Sequence, residues 1–147
     1  KESVMISSRQ LNTILIIDKN TQEIEWEYGL LNKQHDPSLL DNGNILVFDN
    51  QYNKKSSRVV EINPQNNDIV WEYTASGFYA DHISGAQRLP NGNTLICEGT
   101  KGRIFEVNSD KEIVWDYTPI EGGTLFRAYK YGKDDVAWPQ DVFELEF

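Results

Sequence analysis

Ile17-Asp18-Lys19-Asn20-Thr21-Gln22-Glu23-Ile24-Glu25-Trp26-Glu27-Tyr28 returns as Ile62-Asn63-Pro64-Gln65-Asn66-Asn67-Asp68-Ile69-Val70-Trp71-Glu72-Tyr73. It returns again as Val107-Asn108-Ser109-Asp110-Lys111-Glu112-Ile113-Val114-Trp115-Asp116-Tyr117. The three tryptophans stand 45 and 44 residues apart. Each copy has the pattern of a β-hairpin: an apolar strand, a polar Asn/Asp/Pro turn, and an alternating strand that ends Trp-acid-Tyr. A second hairpin spans Leu39–Asn50 and recurs as Arg88–Gly99, turning on Asn42-Gly43 and Asn91-Gly92. Glycine there supplies the positive φ that a tight turn demands. One repeat is thus four strands in about 45 residues, the size of a β-propeller blade.

Working outward, Ile14-Leu15-Ile16-Ile17 is a continuous apolar run, and Glu23–Tyr28 alternates with period two. Both are strand patterns. No stretch of ten or more residues has a helical period. The fold class expected is all-β, built of four-stranded antiparallel blades. About three blades lie in this chain: 1–28 incomplete at its start, 35–73 and 82–117. A closing strand is expected over 124–131, then a tail over 132–147 that reads as an edge strand or a docking arm. The three repeated tryptophans are expected to pack between blades. Propellers close with four to eight blades, so three make half of a six-bladed ring. Either upstream blades complete it, or two copies associate as a homodimer. In the second case the Phe126–Tyr131 strand of one copy fills the gap beside Ser3–Arg9 of the other.

At 147 residues, 39% hydrophobic and 25% charged, the chain suits one globular domain. A net charge of −9 argues against nucleic acid and against an acidic membrane surface, both of which need a basic face. No run approaches the roughly 18 apolar residues of a membrane span. Cys97 is the single cysteine and has no partner for a disulfide; its strand-like setting reads as a buried, inert thiol. No signal peptide is visible at Lys1, which reads as the start of a fragment or of a mature product, and the compartment stays open.

Seven side chains carry candidate chemistry: Arg9, His35, Arg58, His82, Arg88, Arg103 and Arg127. His35 and His82 each lead into the first strand of a blade, where a propeller opens onto its channel. Imidazoles and guanidinium groups converging there would make an oxyanion site, since arginine grips sulfate, phosphate or carboxylate bidentately and a neutral imidazole can act as base or nucleophile. The other reading is that each histidine caps a turn and each arginine pairs with a surface carboxylate. No phosphate loop, nucleophile elbow or metal-ligand spacing is present, so no cofactor and no metal are expected.

Ser7-Ser8-Arg9 with Asn12-Thr13-Ile14, Gln34-His35-Asp36, and Asn42–Asn50 resemble the bacterial arylsulfate sulfotransferases. So do Ser84–Leu95 and Phe126-Arg127-Ala128-Tyr129. The five segments follow the family's order and resemble its C-terminal half. The resemblance implies a six-bladed propeller that moves a sulfuryl group between phenols through a sulfohistidine. It implies His35 as nucleophile and Arg9 as a group that binds the sulfuryl oxygens, with small aromatic sulfate esters and phenols as partners. It implies a periplasmic or secreted protein. His82, Arg58, Arg88 and Arg127 are expected around the substrate. The family's His-x-Asn pair ahead of Ser-Ser-Arg, and a further upstream histidine, have no counterpart here. A non-catalytic propeller module is the alternative, and a quinone-binding propeller a third, lacking its Ala-x-Asp-x-x-Thr-Gly pattern.

Overall fold

The computed structural model of the chain describes residues 2–119, 122–132 and 135. Three antiparallel sheets stand side by side. The first holds β1 (Ser3–Ser8), β2 (Thr13–Asp18) and β3 (Ile24–Tyr28). The second holds β4 (His35–Leu39), β5 (Ile45–Asp49), β6 (Arg58–Asn63) and β7 (Asp68–Tyr73). The third holds β8 (Gly85–Arg88), β9 (Thr94–Glu98), β10 (Arg103–Val107) and β11 (Ile113–Tyr117). Each sheet runs in simple up-and-down order, as a propeller blade does. The first has three strands among the described residues, with β1 at its edge. The only helix among the described residues is a 3₁₀ turn, Gly99–Lys101.

The repeat is kept down to its irregularities. The register slips by one residue at Ile16/Ile17, at Glu61/Ile62 and at Glu106/Val107. These are equivalent bulges, each of which adds twist before the last strand. The turns that follow put Gln22 at φ 62, Asn67 at φ 64 and Lys111 at φ 67. The Asn-Gly hairpins are three-residue loops in which glycine alone is left-handed: Gly43 at φ 83 and Gly92 at φ 87. Leu40 N donates to Asn44 O and Leu89 N to Asn93 O, both at 2.8 Å.

Strand β5 explains how the blades hold together. All five of its residues are buried. Ile45 and Val47 join the first core, with Ile14, Tyr28, Leu31, Val60 and Ile62. Leu46 and Phe48 point the other way into the second core, with Val59, Phe78, Ile96 and Phe105. Period-two alternation thus serves two interfaces at once. Each such side chain contributes about 1.5–3 kcal/mol by leaving water. Two of the three tryptophans close these seams. Trp26 Nε1 donates to Asn67 Oδ1 at 2.9 Å across the first, and Arg88 lies 4.9 Å above the Trp71 ring across the second. Trp115, on the last blade, is 48% exposed.

Residues 124–131, expected as a closing strand, form no ladder. They lie against the third blade through isolated bonds: Ser84 N to Phe126 O at 2.9 Å and Leu125 N to Gly99 O at 2.8 Å. The physical reason is that no partner strand follows among the described residues. The segment nevertheless does the work of an inner strand. Lys130 Nζ donates to Glu106 Oε2 at 2.9 Å, just as Arg88 Nη2 of β8 meets Glu61 Oε2 at 2.9 Å one blade earlier. Together with the blade it leaves a cleft of about 430 Å³ lined by Leu95, Ile104, Val114, Trp115, Ala128 and Tyr129. The tail expected over 132–147 falls outside the described residues except at Gly132 and Asp135.

Candidate functional site

His35 opens β4 and the strand bulges at once. His35 stands opposite Phe48 while Ser38 stands opposite Leu46, so one residue is extra, and Asp36 takes φ 53. Pro37 is tolerated because β4 is an edge strand. The residue before the histidine anchors the neighbouring blade. Gln34, 1% exposed, donates from Nε2 to Ser7 Oγ at 3.1 Å, Ser8 O at 3.2 Å and Thr13 O at 3.1 Å. The Ser7-Ser8-Arg9 stretch and the Gln34-His35 stretch are thereby locked side by side, though they come from different blades.

The imidazole is half-buried, and its Nδ1 lies 2.7 Å from Asn50 Oδ1. Burial pushes its pKa below the ordinary 6.5, and the positive charge of Arg9 and that of a protonated His82 push the same way. The hydrogen bond to Asn50 and the nearby Lys33 backbone partly offset this. His35 is therefore a neutral imidazole at neutral pH. Arg9 sits in the turn after β1, close enough for its charge to reach the ring. Among the described residues no hydrogen bond or ion pair engages its guanidinium. His82 lies in the loop before β8, half-exposed, with Nδ1 against Asp81 Oδ1.

Asp36 faces the third blade. Its Oδ1 accepts from Tyr129 OH at 2.7 Å and Arg127 Nη1 at 3.2 Å. A Cβ on Gly85 would stand 2.2 Å from Asp36 Oδ2, so only glycine leaves room for the carboxylate. Arg127 is thus held one residue from His35, with Phe126 and Tyr129 rings under its guanidinium. The loop that brings His82 and β8 to this mouth is strained. Ile83 at φ 50 and Ser84 at φ 84 are left-handed, which costs a β-branched residue about 1–2 kcal/mol.

Two expected substrate arginines are not brought to the site. Arg58 gives Nε to Asp49 Oδ2 at 2.9 Å and Nη1 to Glu72 Oε2 at 3.2 Å, inside its own blade. Arg88 ends β8 beside the Asn-Gly turn, at the opposite end of the blade from His35, and ties Glu61 and Trp71 across a seam. Arg103 likewise pairs with Asp116 and Glu98. For these three the carboxylate-pairing alternative is the one realised. Cys97 is buried and its thiol is pushed up to about 11, first by burial and then by the Asp36 charge.

Sequence reasoning passed over Asn50 and the structural part of Gln34. A signal for Asn50 was present. At the same distance from their Asn-Gly turns, blade two has His35 and Asn50 where blade three has Ser84 and Gly99. In the third blade Gly99 N simply donates to Ser84 Oγ at 2.9 Å.

A family model described as Arylsulfotransferase (ASST) matches residues 1–119. No curated protein matches. Among solved structures, the hydrazine synthase of Kuenenia stuttgartiensis superposes with a TM-score of 0.61 at 17% identity, over 85% of this chain and 34% of that chain. Virginiamycin B lyase from Staphylococcus aureus gives a TM-score of 0.58 at 24% identity, over 82% of this chain and 39% of that one. A Bacteroides caccae protein of unknown function gives 0.54 at 16%, over 89% of this chain and 62% of that one. These likenesses bear on the fold, and the chain spans between about a third and three-fifths of those chains' length.

Proposed function

The chain belongs to the arylsulfotransferase family, and from that premise we propose that it forms part of a propeller that passes a sulfuryl group between phenols through a sulfohistidine on His35. One observation carries the reading. Gln34 binds the Ser7-Ser8-Arg9 turn against the strand that begins at His35. A neutral imidazole and a guanidinium unengaged by the described residues therefore share one mouth. Those are the two groups a sulfuryl transfer needs. A ring nitrogen attacks sulfur, the S–O bond to the donor phenol breaks, and the pair leaves on the phenolate oxygen. A phenol acceptor then attacks sulfur and the N–S bond returns its pair to the ring. Splitting the transfer gives two easier steps, and Arg9 offsets charge on the equatorial oxygens in both. His82 and Arg127 stand at the rim as contacts for the aryl group and its sulfate. Arg58 and Arg88 are structural.

Incubation with p-nitrophenyl sulfate and a phenol acceptor tests this. The intact chain should gain one sulfuryl group, and His35→Ala should abolish both that gain and nitrophenol release. A folded sample that releases no nitrophenol would favour a non-catalytic binding module.

β1 is the edge of a three-stranded sheet, and residues 124–131 lie against the third blade with no ladder among the described residues. We propose that these halves meet between two copies, the segment of one completing β1–β3 of the other. Two chains then give six four-stranded blades. A solution mass of twice 16.9 kDa is expected by light scattering; a mass of one chain would rule the pairing out.

A further inference from the structure

We infer that Asn50 is the positioning residue of this site: it fixes His35 in the Nδ1–H tautomer, so that Nε2 carries the lone pair and receives the sulfuryl group. The inference rests on the reading of His35 as the nucleophile and names which of its nitrogens acts.

Asn50 is wholly buried, 0% exposed. Its Nδ2 lies 2.8 Å from Ala80 O and 3.1 Å from Ile83 O. A carbonyl can only accept, so the NH₂ group must face this pair. The amide oxygen must then face His35, where it lies 2.7 Å from Nδ1. An amide oxygen also can only accept, so Nδ1 holds the hydrogen. A neutral imidazole has one N–H, which leaves Nε2 bare. Turning the amide over would set its oxygen against two carbonyl oxygens. The orientation is thus decided by the frame and not by the histidine.

That frame is itself fixed. Ser57 Oγ accepts from Ala80 N at 3.0 Å and lies 3.0 Å from Asn50 O. The Ile83 carbonyl comes from the left-handed pair Ile83-Ser84. The third blade has Ser84 in place of the ring and Gly99 in place of the amide. A Cβ on Gly99 would stand 2.3 Å from Leu125 O, so packing alone excludes an amide there, and the orientation of Asn50 rests on the Ala80 and Ile83 carbonyls.

The step balances. Nε2 attacks sulfur, the N–S bond forms and the S–O(aryl) bond breaks, with the pair leaving on the phenolate. The ring is now cationic, and Nδ1–H still donates to Asn50 Oδ1, which steadies the charge. In the second half the acceptor oxygen attacks sulfur, the N–S pair returns to Nε2, and the acceptor's proton goes to water. Asn50 never touches substrate.

The test is the protonation pattern of the ring itself. With ¹⁵N-labelled histidine, and His82→Gln to assign the two signals, long-range ¹H–¹⁵N spectra of the folded chain should give His35 a protonated Nδ1 and a bare Nε2. Asn50→Leu should release the ring to a tautomer mixture and lower kcat/KM for p-nitrophenyl sulfate about 10²- to 10⁴-fold, the range seen when a catalytic imidazole loses its orienting partner. Asn50→Asp keeps the acceptor for Nδ1 but turns its second oxygen on the Ala80 and Ile83 carbonyls, so the variants are compared in samples that a denaturant melt shows to be folded, where Asp keeps the Nδ1–H form and more activity than Leu. A bare Nδ1 in the parent chain overturns the inference, as does Asn50→Leu with unaltered tautomer or unaltered kcat/KM. If the parent has the expected tautomer but transfers nothing, the sulfotransferase reading fails while the hold of Asn50 on the ring stands.

Discussion

Gly85→Ala would drive a methyl group into the carboxylate beside the candidate nucleophile. The new Cβ would stand 2.2 Å from Asp36 Oδ2, 3.0 Å from its Cγ and 3.1 Å from its Cβ, against an ordinary contact of 3.4 Å or more. The carboxylate has to move by over 1 Å. It cannot do so and keep its bonds from Tyr129 OH and Arg127 Nη1. Overpacking of this kind costs about 1–3 kcal/mol. Loss of the Tyr129 bond adds roughly 1 kcal/mol, while the Arg127 pairing is screened by solvent and is not counted. The total of about 2–4 kcal/mol lowers a urea midpoint by roughly 1–2 M at a slope of about 2 kcal/mol/M. The control is Asp36→Gly, which removes every atom in the way and suits the left-handed φ of 53. Gly85 itself has an ordinary φ, so in that background alanine should be neutral or stabilise by a few tenths of a kcal/mol through the unfolded chain. The double-mutant cycle should return a coupling of about 2–3 kcal/mol. Equal cost of Gly85→Ala in both backgrounds would refute the reasoning that Asp36 occupies the side-chain space of residue 85.

Two further outcomes separate the arginines and fix the pH response. Arg58→Ala strands Asp49, 1% exposed, without its cation and should cost about 3–5 kcal/mol by denaturant melt; Arg9→Ala, which loses no bond to a described residue, should stay within about 0.5 kcal/mol yet cut kcat/KM by roughly 10²–10³. The reverse pattern would exchange their roles. Because the folded pKa of His35 lies below 6.5, the unfolded chain binds the proton first as pH drops. The stability gained from the neutral ring is full above pH 6.5 and is lost as pH falls through the folded value. The acid limb of kcat/KM belongs in that same window below 6.5, and a limb above it would mean the ring is not desolvated.

The blade architecture was legible because turn chemistry is local. Gly43 and Gly92 announce their left-handed turns within four residues of sequence, and Trp-acid-Tyr marks the end of each blade. Even the expected gap before β1 rests on counting local hairpins. The destinations of long cationic side chains were not legible. Arg88 finds Glu61 and the face of Trp71 only because one blade turns relative to the next, and nothing in spacing along the chain carries that angle. Arg58 is expected around the substrate, but Asp49, its register partner on β5, takes its charge. The segment 124–131 has strand-like residues, yet a ladder needs a second strand, and none pairs with it among the described residues.

The site follows a different rule, visible once the second and third blades are compared at equal distance from their Asn-Gly turns. Where the two copies agree, the residues are structural: Glu61 and Glu106, opposite the equivalent Leu46 and Leu95, each accept from an asparagine of the hairpin turn and from a cation of the segment that follows, Arg88 or Lys130. Where they differ, the differences interlock. His35 replaces Ser84, Asn50 replaces Gly99, and Asp36 has its carboxylate in the space that Gly85, its own counterpart, leaves empty. Three substitutions scattered over sixteen residues of one blade meet at one mouth. The third is accommodated because its counterpart in the other copy has no side chain. A repeat needs no such arrangement to stack, since Ser84 and Gly99 satisfy each other with one bond. The break in the repeat at His35 and Asp36 is therefore a stronger pointer to function than either histidine alone, whereas position 99 is held to glycine by Leu125 O, 2.3 Å from where a Cβ would stand.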